Sequence, residues 1–103
     1  MKTPFSGYQI ASLARIASPK FNVRINKAGN IAIEPSVVTN TNVRKYIFYK
    51  TAEGFVIRSG RTDDKGQHNY TRLAKTINGE RQYTFATFAE AFGHFKKTIA
   101  RVA

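Results

Sequence analysis

The chain contains no cysteine. That excludes a disulfide scaffold, a zinc ribbon, an iron–sulfur protein and a cysteine nucleophile. Tryptophan is absent as well, and only six Asp and Glu occur in 103 residues. No window approaches about 20 uninterrupted apolar residues, so no membrane-spanning helix and no membrane partner is expected. The N-terminal MKTPFSGYQIASLARIASPK lacks a long apolar stretch and is broken by Arg15 and Pro19. It reads as mature protein, not as a signal peptide. Against this scarcity of acid stand 17 Lys and Arg, giving a net charge of +11 and a pI near 10.4. Hydrophobic residues are 42 % and aromatics 13 % of the chain, enough for a core and too many for wholesale disorder. The expectation is a single domain over 1–103, cytoplasmic or nucleoid-associated, whose basic balance suits a polyanion.

Local patterns predict the elements. Ser6 and Gln9 form a capping box, and Ile10, Leu13, Ala14 and Ala17 make one apolar helical stripe that ends at Ser18-Pro19. Apolar residues alternate in Phe21–Asn26, a turn follows at Lys27–Asn30, and Ile31–Ile33 returns as a strand closed by Pro35. Residues 36–42 read as a loop or weak edge. Arg44–Lys50 and Phe55–Arg58 predict a hairpin turning at Ala52-Glu53-Gly54, and the polar Ser59–Asn69 reads as a loop. Asn78-Gly79 predicts a tight hairpin pairing Ile77 with Glu80, because both residues tolerate positive φ. Thr87 and Glu90 form a second capping box. Phe88, Phe92, Phe95, Ile99 and Val102 follow at helical spacing. The fold expected is α+β: a short N-terminal helix, a curved antiparallel sheet of five to six strands, and a C-terminal amphipathic helix packed on one sheet face.

The other sheet face is where function is expected. Arg and Lys neutralise phosphates, and aromatic rings give bases something to stack on. Strand alternation places Arg44, Tyr46, Phe48 and Lys50 on one side of their strand. It places Arg72, Arg81, Tyr83 and Phe85 on one side of the last hairpin. With Arg58 and Arg61, these make a candidate nucleic-acid-binding set of Arg44, Tyr46, Phe48, Lys50, Arg58, Arg61, Arg72, Arg81 and Tyr83. If the two faces instead meet the helix, Tyr46, Phe48, Tyr83 and Phe85 are core. Ile47 and Tyr49 are equally good core candidates, and a one-residue change of register inverts the assignment.

Enzymatic patterns are thin. Asp63, Asp64 and His68 are a loose metal-like cluster without an obvious third protein ligand. A small basic ribonuclease would place its acid–base and phosphate-binding groups at His68, Tyr70, Arg72 and Arg81. Neither a Gly-rich phosphate loop nor a paired-Glu motif occurs. No catalytic residue, metal site or cofactor is therefore assigned. His94 reads as a solvated residue of the last helix.

The run Tyr83-Thr84-Phe85-Ala86-Thr87-Phe88-Ala89-Glu90-Ala91 resembles the F-x-T-x-x-E-A entry to the helix of plant ethylene-response-type DNA-binding domains. The strand–strand–strand–helix order over Arg44–Ala100 is similar to the arm-binding domains of phage tyrosine recombinases. That resemblance implies a three-stranded sheet laid in the major groove of duplex DNA. The overall order also resembles the sheet-plus-helix single-strand binders of the Whirly, Pur and transcriptional-coactivator type. The small size suits a phage or mobile-element protein.

The expected function is thus a non-enzymatic nucleic-acid-binding protein with a basic, aromatic β-sheet surface. Single strands are slightly preferred to duplex, and DNA to RNA. The alternatives are a duplex reader of the major groove, and an adaptor or inhibitor docking on an acidic protein partner. A homodimer through the Arg44–Lys50 edge or the Phe-rich helix is an equal alternative to a monomer.

Overall fold

The computed structural model describes residues 3–36, 44–62 and 68–102. Helix α1 spans Gly7–Ala17 and helix α2 spans Phe88–Val102. The strands are β1 (Phe21–Ile25), β2 (Ile31–Pro35), β3 (Lys45–Thr51), β4 (Gly54–Thr62), β5 (His68–Arg72), β6 (Lys75–Ile77) and β7 (Glu80–Gln82). Strands β1 to β5 form one antiparallel sheet in chain order, and β6–β7 is a separate two-stranded ribbon. The α+β architecture expected from the sequence is therefore present, with α2 packed on the sheet.

Local chemistry accounts for the element boundaries. The Ser6 side chain accepts from the Gln9 N–H while the Gln9 side chain accepts from the Ser6 N–H, closing the predicted capping box. The Ser18 N–H donates back to the Ala14 carbonyl at the other end. Before α2 only half of the predicted box forms. The Thr87 hydroxyl accepts from the Glu90 N–H, whereas the Glu90 carboxylate turns to Lys75. Asn26 Oδ1 accepts from the N–H groups of Ala28 and Asn30, and Gly29 supplies the positive φ of that turn. The Asn78-Gly79 turn forms as expected, with both residues at positive φ and Ile77 opposite Glu80.

Both helices lie on the same side of the sheet. Their buried stripe of Leu13, Ala17, Ala91, Phe95 and Ile99 meets Phe21, Ile31, Ile33, Tyr46, Phe48 and Ile57 in one apolar cluster. Phe95 stands edge-on to both Tyr46 and Phe48, with centroids 5.2 and 5.1 Å away. Phe88 and Phe92 are only partly buried, and Phe88 packs against Phe5, Phe48 and Phe55.

Two expectations are corrected. Ser59–Asn69 is not one loop: β4 runs on to Thr62 and β5 begins at His68. The last hairpin is not one continuous pair of long strands either. The Leu73 N–H still donates to the Ile57 carbonyl, but the chain then leaves the main sheet, and Lys75–Gln82 crosses toward α2. The expected loop or weak edge at 36–42 falls, beyond Ser36, outside the described residues. So do Asp63, Asp64 and Lys65.

Candidate nucleic-acid interface

The register decides which side chains face away from the helices. Tyr46 pairs with Ile33 and Ser59, and Phe48 with Ile31 and Ile57, all on the helix-covered side. Tyr46 and Phe48 are 0 % exposed. Their assignment to the binding set is corrected: a ring enclosed by Phe95 and the aliphatic core has no face left for a base. The Tyr46 hydroxyl is buried and has no hydrogen-bond partner among the described residues. Burial pushes its pKa up, while Arg44 and Arg61 pull it down. A buried hydroxyl with no partner costs about 1–3 kcal/mol. Tyr46→Phe should therefore raise stability by about 1 kcal/mol in urea denaturation and leave nucleic-acid affinity unchanged. Weaker binding would return Tyr46 to the interface, and lower stability would show that its hydroxyl is bonded within the core.

The remaining sequence-derived candidates are dispersed. Arg44 is half-buried, and its Nη1 donates to the hydroxyl of Ser59, which is itself buried. Lys50 pairs with Phe55 and lies over its ring at 5.6 Å. Arg61 is exposed near Tyr46 at the far end of the same face. Arg81 and Tyr83 do not share a surface with Arg72, because the break at Leu73–Ala74 puts Arg81 in the separate β6–β7 ribbon. There the Arg81 guanidinium sits 5.9 Å from the Tyr83 ring, and Tyr83 is 41 % exposed, whereas Phe85 is fully buried. Of the nine candidates, only Arg58 and Arg72 lie on the open face.

The open face carries other residues that complete a basic, aromatic surface. One row crosses all five strands: Arg24 opposite Ala32, Ala32 opposite Ile47, Ile47 opposite Arg58, and Arg58 opposite Arg72. At the usual spacing of neighbouring strands the row spans roughly 19 Å. All three arginines are exposed. Arg24 is paired with Glu34, its Nε 2.8 Å from the carboxylate. Arg58 donates from Nε to the Tyr49 hydroxyl at 2.9 Å, and its guanidinium lies 5.4 Å from the Tyr49 ring centroid. Neither Arg58 nor Arg72 pairs with a carboxylate among the described residues. Like charges directly opposite on a sheet are destabilising, so the Arg58–Arg72 pair is kept at a cost to the fold.

Beside this row, Lys45 is opposite Gly60 and Gly60 opposite Tyr70. A Cβ on Gly60 would come within 2.5 Å of Tyr70 Cδ1 and 2.7 Å of the Asn69 carbonyl oxygen. The missing side chain thus lets the Tyr70 ring lie against the backbone of β4. Burial raises the Tyr70 pKa, with a further rise from Glu34 and an opposing effect from Arg24. The phenol therefore stays neutral at physiological pH and sits within the field of the Arg24–Glu34 pair. Tyr49 and Tyr70 are aromatic rings of this face.

The open face also carries Arg24, Lys45, Tyr49 and Tyr70, which belong to the chain's basic and aromatic residues but not to the nine-residue candidate set. The turn at Ala52-Glu53 carried the signal. Pairing Thr51 with Gly54 sets Ile47 opposite Arg58, and a centrally placed arginine marks the solvated side of β4. That assigns Tyr46 and Phe48 to the core. Among the described residues no three His, Asp or Glu side chains come together to hold a metal ion. No helix among them is long and apolar enough to cross a membrane. In comparisons with protein families, with curated proteins and with solved structures, nothing matches this chain.

Proposed function

We propose that this protein is a non-enzymatic nucleic-acid-binding domain that holds a single strand, of DNA in preference to RNA, on the open face of its five-stranded sheet. The observation that carries the reading is the directly opposed Arg58–Arg72 pair, uncompensated by any carboxylate among the described residues, between two tyrosines. Phosphates would supply the charge that the protein itself withholds there, with release of the counterions they carry. Tyr49 and Tyr70 offer ring surface for bases, and Ile47 and Ala32 keep the centre of the arginine row low and apolar. Lys45 on β3 adds a further cation beside the row, while Arg24 on β1 shares its charge with Glu34.

Base stacking on an aromatic ring is worth about 1–3 kcal/mol. Tyr70→Leu should therefore weaken binding of a fluorescein-labelled single strand about 5- to 150-fold in an anisotropy titration. The salt dependence should be unchanged, since no cation is lost. Unchanged affinity would remove Tyr70 from the site. A preference for duplex over single strand would replace the stacking surface with the groove-reading alternative.

A further inference from the structure

On the other side of the molecule the β6–β7 ribbon and α2 enclose an open cleft of about 600 Å³, within the range of small-ligand sites. Its helix wall carries His94, Lys97 and Arg101, spaced three and four residues apart on one face, and its ribbon wall carries Lys75 and Thr76. Gly93 leaves that wall low, since a Cβ there would meet nothing within 4 Å. Glu90, the one acid in the lining among the described residues, is already engaged by Lys75, whose ammonium also lies 4.7 Å from the Phe85 ring centroid. Lys97 and Arg101 are exposed and have no carboxylate partner among the described residues.

We infer that this cleft is a second, independent anion site that takes a phosphate group between Lys97, Arg101 and His94, with the Thr76 hydroxyl available as a further donor. The inference does not rest on the open sheet face, which lies on the opposite side of the sheet from α2. The state of His94 agrees with it. Burial lowers the His94 pKa first, the positive charges of Lys75, Arg101 and Lys97 lower it further, and a hydrogen bond with the backbone of Ala74 opposes them. Among the described residues, Glu90, on the same helix, is the only negative group lining the cleft. Burial is the larger cause, and the share contributed by the three cations is what a bound oxyanion would offset.

The test is an NMR titration of the His94 Cε1–Hε1 signal between about pH 5.5 and 8 at constant ionic strength. It is run in chloride, then with inorganic phosphate, then with an oligothymidylate lacking a terminal phosphate. Phosphate in the cleft should raise the His94 midpoint by about half a pH unit. The rise should vanish in the Lys97→Ala/Arg101→Ala double variant, whose altered side chains are exposed. A rise with inorganic phosphate alone assigns free phosphate or a monoester. A rise with the oligonucleotide that the double variant loses assigns strand diesters. A midpoint unmoved by both probes, or moved equally in the double variant, overturns the site. The Arg58 and Arg72 variants test the open face separately, so either surface can fail without the other.

Discussion

Replacing Gly54 by Ala should cost about 3–5 kcal/mol, a large part of the roughly 5–15 kcal/mol that holds a domain together. Gly54 opens β4 with φ at +145°, a conformation that strongly favours glycine. A Cβ there would stand 2.3 Å from the carbonyl oxygen of Phe85. That carbonyl accepts from the Phe55 N–H at 2.8 Å, and the Phe85 N–H donates back to the Phe55 carbonyl at 2.8 Å. This bridge ties the segment leading into α2 to the sheet and holds the fully buried Phe85 in the core. Neither backbone can give way without losing both hydrogen bonds. In thermal denaturation the variant's Tm should fall by more than about 12 °C. Gly93→Ala is the contrast, because its Cβ enters open space in a helix and should gain about 0.5–1 kcal/mol. A Gly54→Ala protein within about 1 kcal/mol of wild type would show that the bridge does not hold the two layers together.

The second large effect is on binding. Arg58→Ala and Arg72→Ala should each weaken single-strand affinity about tenfold or more, the worth of a charge-assisted hydrogen bond to phosphate. Together they should flatten the slope of log affinity against log salt by roughly 1.4, the share of two phosphate contacts on a single strand. Stability should move the other way. Relieving like charges directly across the β4–β5 ladder should leave the protein as stable as before or a few tenths of a kcal/mol more so. Loss of binding with no loss of stability is the pattern of residues held for a ligand. A double variant that is markedly destabilised yet binds with an unchanged salt slope would make the pair structural. Arg58→Ala also removes the cation on Tyr49, so Arg72→Ala is the cleaner of the two.

How far the molecule could be read from its sequence follows from which interactions are local. The Ser6–Gln9 box, the Asn78-Gly79 turn and the aromatic stripe of α2 are set by neighbours within a few residues, and they form as read. The face of β3 is different. Tyr46 and Phe48 alternate with Ile47 and Tyr49, so both faces are apolar and a single strand does not show which is buried. The cross-strand partners decide it: Ile33 and Ile31 stand beside Tyr46 and Phe48, while Arg58 and Ala32 flank Ile47. The break after Leu73 has no local sign, since neither Gly nor Pro occurs there. What draws the ribbon over α2 is the Lys75–Glu90 pair and the bond between His94 and the Ala74 backbone, both made by residues far along the chain. Hence the basic, aromatic character of the surface was legible in composition, while its membership was not. Of the nine candidates only Arg58 and Arg72 lie on the open face, where the described rings are Tyr49 and Tyr70 instead of Tyr46 and Tyr83.

On the proposed function, the open face of the sheet is the binding surface. Backbone amide chemical-shift mapping with a short single-stranded oligonucleotide, at about 150 mM salt to suppress diffuse attraction, tests it most directly. The expected result is a continuous patch of shifted amides across Arg24, Ile47, Arg58, Tyr70 and Arg72, with α1 and the inward-facing residues of β3 unmoved. Shifts confined to the helical side, or no shifts at that salt, would contradict it.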